Sequence, residues 1–146
     1  MVDEEPMNPA LLMFLSFRRA ETKILEHLAV EGFGDLTLAQ GRVAARIGPE
    51  GTRLTDLAEQ AQVTKQSAGS LVDQLERAGY VTREPDPSDA RARLVCLAER
   101  GRQAQRAARE MERQIEVEWE HHLGATTMRQ LCAALTSLRE ITDPWA

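Results

Sequence analysis

The sequence predicts a mainly α-helical protein with one small β-hairpin, and three observations support this fold class. Apolar residues recur at helical spacing over most of the 146 residues. Gly, Pro and Asn residues stand where those repeats begin and end. One stretch, from Tyr80 to Leu97, instead combines strand-like residues with a centre rich in Pro and Asp. We therefore expect a helical fold that is interrupted once by a hairpin.

The first predicted helix begins at Asn8-Pro9, with Asn8 as the N-cap and Pro9 at the first helical position. Its apolar repeat runs to Glu31, and Gly32 and Gly34 then favour a stop. The first turns of this helix are apolar on nearly every side. Such a helix is typically buried on more than one side, which indicates packing against a second subunit.

Three shorter helices follow, over residues 37–47, 54–61 and 64–78. Thr55 and Thr64 are the expected N-caps of the second and third of these, and Gly79 is the expected C-terminal glycine of the last. Residues 54–78 can therefore form two helices joined by a short turn. The predicted buried side of this pair consists of Leu57, Ala58, Val63, Ala68, Leu71, Val72 and Leu75.

The predicted hairpin has strands over Tyr80–Thr82 and from Arg93 to Leu97, with residues 84–91 as its loop. A long helix over residues 99–123 should follow, without a side-chain N-cap because Ala98 precedes it. Gly124 should end that helix.

The last predicted helix begins at Thr126 or Thr127 and closes at Asp143-Pro144. Short helices followed by a hairpin are the winged helix-turn-helix arrangement. We assign residues 36–98 to that domain and expect residues 1–35 and 99–146 to form dimerisation helices on either side.

The second helix of the helix-turn-helix has an outward face that suits contact with DNA. The N-terminus of a helix carries free N–H groups and a partial positive charge, so it can approach phosphates and base edges. Gln66 could read adenine edges, and Ser67 or Ser70 could donate or accept a hydrogen bond. Gly69 within this helix indicates either close packing or room for DNA.

Three motifs of this chain resemble the MarR family (multiple antibiotic resistance regulators) of winged helix-turn-helix transcription factors. Residues 36–40, Leu-Thr-Leu-Ala-Gln, resemble the opening of the family's second helix. The Leu-Glu-Arg-Ala-Gly stretch at 75–79 resembles the exit of its helix-turn-helix. The Asp-Pro-Ser-Asp-Ala-Arg stretch at 86–91 resembles its wing.

The resemblance implies a homodimer that binds a pseudo-palindromic operator in double-stranded DNA and acts as a repressor. Arg91 matches the family's minor-groove arginine, Asp89 the aspartate that holds this arginine or a neighbouring one, and Arg93 a phosphate contact. The residues implied nearest the major groove lie at the start of the recognition helix: Thr64, Lys65, Gln66, Ser67 and Ser70.

The resemblance also implies release from DNA by a small aromatic effector. Phe14, Phe17, Phe33 and Trp119 are candidates for an effector pocket between the dimer helices and the DNA-binding domain. Ordinary dimer core is the favoured alternative for these four side chains.

The charge distribution refines the expectation for DNA binding. The net charge is −5, which by itself argues against a simple electrostatic nucleic-acid binder. Residues 36–98, however, contain eight basic and eight acidic side chains, so the whole excess of acid belongs to the flanking helices. We therefore expect this domain to bind DNA through a few placed contacts rather than through a broad basic field.

Other classes of protein are disfavoured by the sequence. No apolar run approaches a membrane span, and the acidic start, Asp3-Glu4-Glu5, does not resemble a secretory signal. Two widely spaced cysteines form no disulfide framework, so we expect a cytoplasmic protein. Nucleotide-loop, zinc-protease and hydrolase motifs are absent, and we predict neither an enzyme nor a cofactor.

Three alternatives remain open. A winged helix can serve as a protein-interaction module that does not bind DNA. Cys96 on the hairpin could act as a thiol redox sensor, whereas Cys132 is expected in the core. His27, His121 and His122 could suggest a metal, but adjacent histidines point to different faces of a helix, so we predict no metal site.

Overall fold

The computed structural model describes residues 5–145, and these form a mainly helical fold with one two-stranded antiparallel sheet, as predicted. The elements in chain order are α1 (Pro9–Leu28), α2 (Leu38–Ala44), α3 (Leu54–Ala61), α4 (Lys65–Arg77), β1 (Val81–Asp86), β2 (Asp89–Leu97), α5 (Glu99–Leu123) and α6 (Ala125–Thr142). None of the helices in residues 5–145 is long and apolar enough to cross a membrane.

Helix α1 begins as predicted, because Asn8 Oδ1 accepts a hydrogen bond from the Leu11 amide at 2.9 Å and Pro9 occupies the first turn. Its α-helical part ends at Leu28, three residues before the predicted end at Glu31. Residues 29–33 continue as a π-helical turn, in which Gly32 takes a φ of +100°. The chain then changes direction, as the two glycines indicated.

Of the two N-caps predicted for the next three helices, Thr64 is confirmed and Thr55 is not. Thr37 and Gln40 form a capping box at α2, and Thr64 caps α4 by accepting from the Ser67 amide at 3.0 Å. The expected cap by Thr55 is wrong: Arg53 is the N-cap residue of α3, without a capping side chain. Helix α2 also ends at Ala44, three residues before the predicted end at 47. Ala45 and Arg46 form a turn directly after it.

The core lies where helices α1 to α5 and the hairpin meet. The predicted buried side of the helix-turn-helix is confirmed for Leu57, Ala58, Ala68, Val72 and Leu75. Leu71 is half-buried, and Val63 is wrong, since it lies in the turn before α4 with 36% of its surface exposed. The largest fully buried side chains are Tyr80, Leu57, Leu75, Val43, Val72 and Val81.

The hairpin is longer than predicted, and its loop is shorter. Strand β1 continues to Asp86 and β2 begins at Asp89, so only Pro87 and Ser88 lie between the strands. The register shifts between Pro85, which pairs with Arg93, and Asp86, which pairs with Asp89. Residues 90–92 of β2 therefore have no pairing partner in β1 and form a bulge. Such a bulge bends the strand and redirects its side chains.

The root of the hairpin is attached to the segment before α3. Thr52 and Val95 exchange two backbone hydrogen bonds of 2.9 Å, which adds a third, one-residue strand to the sheet. A Cβ atom placed on Gly51 would lie 2.6 Å from Cys96 Sγ, so only glycine fits at this close approach. The start of α3 and the hairpin are therefore one packed unit.

Helices α5 and α6 end the chain. Helix α5 spans 99–123 as predicted, and Ala98 indeed provides no side-chain cap. Helix α6 begins at Ala125, directly after Gly124, which is one or two residues before the predicted start.

Helix α6 leaves nearly all of its side chains exposed in the single chain. Cys132 is exposed as well, so its expected place in the core is not found. Large apolar side chains are exposed on both terminal helices: Leu11, Leu12, Met13, Phe14 and Phe17 on α1, and Leu131, Leu135, Leu138 and Ile141 on α6.

Candidate nucleic-acid interface

The recognition helix α4 presents polar side chains from its first turns to solvent. Lys65, Gln66 and Ser70 are exposed, and their side chains form no hydrogen bond with another residue of 5–145. Thr64 and Ser67 are exposed too, but they bond to each other, with the Thr64 hydroxyl 2.9 Å from Ser67 Oγ. The structure thus gives these two residues a capping role and leaves the other three side chains free for an external partner.

Gly69 is half-buried on the same helix, facing α3. A Cβ atom added there would lie 3.7 Å from Leu54 Cδ2, which is an ordinary van der Waals contact. Close packing therefore does not require glycine at this position. Of the two explanations that the sequence offered for Gly69, the packing explanation is not supported by the structure.

Arg91 lies in the bulge of the hairpin, exposed and without an ion pair among the described residues. Asp89 does not bind an arginine closely: its Oδ1 accepts from the Arg91 backbone amide at 3.0 Å. Its Oδ2 lies 4.0 Å from Arg53 Nη2, at the limit of an ion pair. Asp89 therefore fixes the backbone that carries Arg91 and leaves the guanidinium free.

Asp86 is the residue of the wing that sequence reasoning missed. Its side chain is buried, with 8% of the residue's surface exposed, and Arg53 Nε and Nη2 lie 2.8 and 2.7 Å from its Oδ2. The Ser88 hydroxyl and amide donate to its Oδ1 at 2.7 and 2.8 Å. These hydrogen bonds, those from Ser88 foremost, lower the pKa of Asp86 to about 2. An Asp followed two residues later by Ser is the signal that could have found this turn.

The charges of the winged domain are sorted in space. Arg83 on β1 binds two acids of α4, Asp73 at 2.7 Å and Glu76 at 3.1 Å. Arg53 binds Asp86 in the same way. Three acidic groups are thus matched by two arginines, whereas Lys65, Arg91 and Arg93 form no ion pair within residues 5–145.

Arg93 is exposed, and its Nη2 donates to the Arg83 carbonyl oxygen at 3.2 Å. That hydrogen bond holds the side chain along the hairpin and leaves its other donors free. This position leaves Arg93 accessible for the predicted phosphate contact.

Tyr80 forms the junction between the recognition helix and the flanking helices. Its hydroxyl donates to Asp35, which also accepts from Arg100 Nη1 and Nη2 at 3.0 and 3.1 Å. The Arg100 guanidinium lies 4.2 Å from the centre of the Tyr80 ring and donates to the Ala78 carbonyl at the end of α4 at 2.7 Å. Burial and the bond to Asp35 raise the pKa of Tyr80 well above its usual value, so the phenol stays protonated.

A cavity of about 410 Å³ lies between α1, α2 and α5, next to this junction. Its walls are mostly apolar, and an ion pair between Glu21 and Arg42, with two contacts of 2.8 Å, joins α1 to α2 at its side. This pairing lowers the pKa of Glu21. The cavity is large enough for a small organic molecule.

Of the four predicted effector-pocket residues, only Phe17 lines this cavity. Phe14 is 53% exposed beside Arg18, and Phe33 packs against Tyr80 with ring centres 6.2 Å apart. Trp119 lies half-buried further along α5. The structure thus brings only Phe17 of the four to this cavity, while Phe33 lies in the turn after α1. Tyr80, which the sequence did not single out for this site, lines the cavity instead.

Cys96 lies half-buried on β2 against Gly51. Burial and the nearby Glu84 raise the pKa of its thiol, which lowers the fraction of reactive thiolate. Within residues 5–145 no group of three His, Cys, Asp or Glu side chains is placed to hold a metal ion.

Comparison with known proteins agrees with this geometry. A family model described as the MarR family matches residues 34–92. The MarR resemblance drawn from the sequence is thus confirmed over most of the winged domain. No curated protein matches the chain in sequence.

Solved structures extend the likeness of fold to nearly the whole chain. The apo form of wild-type MarR from E. coli is 22% identical, covers 92% of this chain and 98% of its own, and superposes with a TM-score of 0.72. RV1404 from Mycobacterium tuberculosis is 25% identical, with coverages of 98% and 99% and a TM-score of 0.70. A mutant of S. aureus MepR bound to an oligodeoxyribonucleotide is 21% identical, with coverages of 92% and 98% and a TM-score of 0.59. The chain therefore shares the fold of these MarR-type structures over more than nine-tenths of its length.

Proposed function

We propose that this protein is a homodimeric regulator that binds a pseudo-palindromic operator and represses transcription. The observation that carries the proposal is the sorting of charge in the winged domain. Three of its eight acids, Asp73, Glu76 and Asp86, are paired with Arg83 or Arg53, while Lys65 on the recognition helix and Arg91 and Arg93 in the wing form no ion pair within residues 5–145. Unpaired cations on these two elements favour DNA over a protein as the partner.

The two elements suit two different parts of the duplex. The start of α4, with Lys65, Gln66 and Ser70, would enter the major groove and read base edges. Arg91 would enter the adjacent minor groove, whose narrow form attracts a guanidinium. A MepR mutant with this fold is bound to an oligodeoxyribonucleotide, which supports DNA as the partner.

Dimerisation would place two such domains on one operator. The exposed apolar side chains of α1 and α6 supply a face that a second copy could cover. The two recognition helices would then have to lie about 34–36 Å apart to reach successive major grooves. This proposal assigns DNA binding to residues 36–98. It assigns dimerisation to residues 1–35 and 99–146.

An effector bound in the cavity between α1, α2 and α5 could change the distance between the two recognition helices. It borders α2, which is linked to the recognition helix by a hydrogen bond of 2.8 Å between Gln40 and Gln74. A small, mostly apolar molecule seated there would press on α2 and on Tyr80, and so change the distance between the two DNA-binding domains. Release of the operator by a small aromatic effector is our proposal for the regulation.

The test is a fluorescence-anisotropy titration with a duplex that the wild-type protein selects from a random pool. We expect binding that weakens steeply with salt, because phosphate contacts release counterions. Arg91→Ala should weaken it by about 1–3 kcal/mol. Arg113→Ala, which removes an exposed arginine from α5, should change it little.

Two results would count against the proposal. If the wild type selects no duplex and binds none in a salt-dependent way, DNA binding is wrong and the protein-interaction alternative is favoured. If Arg91→Ala binds as tightly as the wild type, the wing does not contact DNA.

A further inference from the structure

We propose that Arg53 is a positioning residue for DNA binding: it ties the wing turn to the start of α3 and thereby determines where Arg91 is presented. The inference rests on the proposed function, since it concerns how the wing meets DNA. Neither the motifs of the sequence nor the expected roles of Asp89 and Arg91 pointed to Arg53, which stands 33 residues before its partner Asp86.

The first step is the contact itself. Arg53 is the last residue before α3, and its Nε and Nη2 both approach one oxygen of Asp86, at 2.8 and 2.7 Å. The other oxygen of Asp86 accepts from the amide and the hydroxyl of Ser88. One buried carboxylate is therefore held from α3 on one side and from the turn of the hairpin on the other. Charge-assisted hydrogen bonds of this kind are stronger and shorter than neutral ones.

The second step carries the contact to Arg91. Arg53 Nη2 lies 4.0 Å from Asp89, and Asp89 accepts from the Arg91 amide at 3.0 Å. The bulge of residues 90–92 lacks ladder partners in β1, so its position depends on such side-chain contacts. The root of the hairpin is held separately, by the backbone pairing of Thr52 with Val95. Arg53 thus acts at the turn end, where Arg91 lies, and not at the root.

The third step is electrostatic. Asp86 and Asp89 flank the turn next to Arg91, and two unmatched carboxylates there would repel the phosphates that Arg91 must approach. Arg53 offsets their charge from the protein side. Its loss would leave the buried Asp86 with its Ser88 hydrogen bonds but without a countercharge, which is unfavourable, and would free the turn to move.

The experiment is a double-mutant cycle measured by anisotropy on the pool-selected duplex. We expect Arg53→Gln to weaken binding about tenfold in the wild-type background and to have less than a twofold effect in the Arg91→Ala background, because its effect acts through Arg91. Arg53→Lys, which keeps the charge but offers no two-pronged contact, should recover only part of the loss. Arg102→Gln, at an arginine of similar exposure paired with Glu99 on α5, is the matched control and should leave binding unchanged.

A second measurement keeps the inference testable if Arg53→Gln folds poorly. Ser88→Ala removes only one hydroxyl donor from the other side of Asp86, and it should give a smaller loss that is likewise absent in the Arg91→Ala background. The Arg91 amide donates a hydrogen bond to Asp89. Its hydrogen-exchange rate should rise in Arg53→Gln, while the exchange rates of amides in α5 stay unchanged.

The outcomes separate this inference from the proposed function. If the wild type binds DNA but Arg53→Gln loses the same factor in both backgrounds, Arg53 contacts DNA directly or acts elsewhere, and the positioning role is wrong. An unchanged exchange rate of the Arg91 amide would also overturn it. If the wild type binds no duplex, the proposed function itself fails.

Discussion

Asp86 shows how one carboxylate can organise a turn that local sequence preferences would leave open. Pro85 and Asp86 are poor strand residues, yet β1 extends through both of them. The hydrogen bonds from Arg53 and Ser88 satisfy both carboxylate oxygens, so the burial of Asp86 carries no unpaired charge. The extra length of the hairpin follows from these contacts.

The depressed pKa of Asp86 predicts how this contribution depends on pH. Because the folded pKa is about 2 and the ordinary value about 3.9, the ionised group stabilises the folded protein above pH 4, and this stabilisation is lost as the pH falls towards 2. Asp86→Asn should therefore lower the melting temperature at pH 7, with a difference from wild type that shrinks below pH 4. Thermal unfolding followed by circular dichroism between pH 7 and pH 2.5 would measure this.

The control for Asp86→Asn is Glu110→Gln. Glu110 is an exposed carboxylate paired with Arg113 on α5, and water screens that pair, so its loss should change the melting temperature little at any pH. A difference for Asp86→Asn that stays constant down to pH 2.5 would contradict the role of the ionised carboxylate.

Two glycines within helices show that the same residue type can have opposite structural reasons. At Gly69 in α4 an added Cβ would meet Leu54 Cδ2 at 3.7 Å, in ordinary contact. At Gly101 in α5 it would lie 2.2 Å from the Tyr80 carbonyl oxygen, which also accepts from the Ala98 amide at 2.9 Å. The first glycine is free to change, whereas the second lets α5 pack against the backbone that follows α4.

Gly69→Ala and Gly101→Ala should therefore have opposite effects on stability. Gly69→Ala should stabilise the folded protein by about 0.5–1 kcal/mol, because alanine favours helix and restricts the unfolded chain. Gly101→Ala should destabilise it by about 1–3 kcal/mol or more, since backbone must shift to relieve the overlap. Urea unfolding of the two variants beside wild type gives both numbers, and each variant serves as the control of the other. If both substitutions changed the free energy of unfolding in the same direction, the explanation of the two glycines by packing would be wrong.

Helix ends could be predicted from the sequence because the groups that fix them are local. Asn8 and Thr64 cap the helices that follow them within three residues, and Gly124 ends α5 where expected. The hairpin could not be bounded in this way, since its turn depends on Arg53, far away in sequence. The expected cap by Thr55 failed for a similar reason: the segment before α3 is held by pairing of Thr52 with Val95, and the helix begins two residues earlier than that cap requires.

The candidate site was predictable to different degrees. Exposure of Lys65, Gln66 and Ser70 followed from the helical period, because the apolar face of α4 had to turn inward. The cavity could not be read from the positions of aromatic residues, since its walls depend on how α1, α2 and α5 cross. Tyr80 enters it through a junction with Asp35 and Arg100 that no local pattern reveals.

The molecule separates its charge from its exposed apolar surface. The winged domain is neutral overall, and the flanking helices carry the whole net charge of −5. Those same helices expose the large apolar side chains of α1 and α6. In the proposed dimer, acidic arms would repel DNA and so keep a duplex at the winged domains, and the apolar faces would associate with a second copy.

The dimer proposal leads to a prediction at α6. Leu135→Glu would place a charge in the apolar face formed by Leu131, Leu135 and Leu138, and a twofold interface would contain that charge twice. We expect the wild type to sediment as a dimer at micromolar concentration and Leu135→Glu to sediment as a monomer, because burying an unpaired carboxylate is costly. Ala133→Glu, which adds the same charge on the opposite side of α6, should remain dimeric. Loss of the dimer should also weaken operator binding, since each half-site would then be bound alone. A monomeric wild type, or a dimeric Leu135→Glu, would show that this face is not the interface.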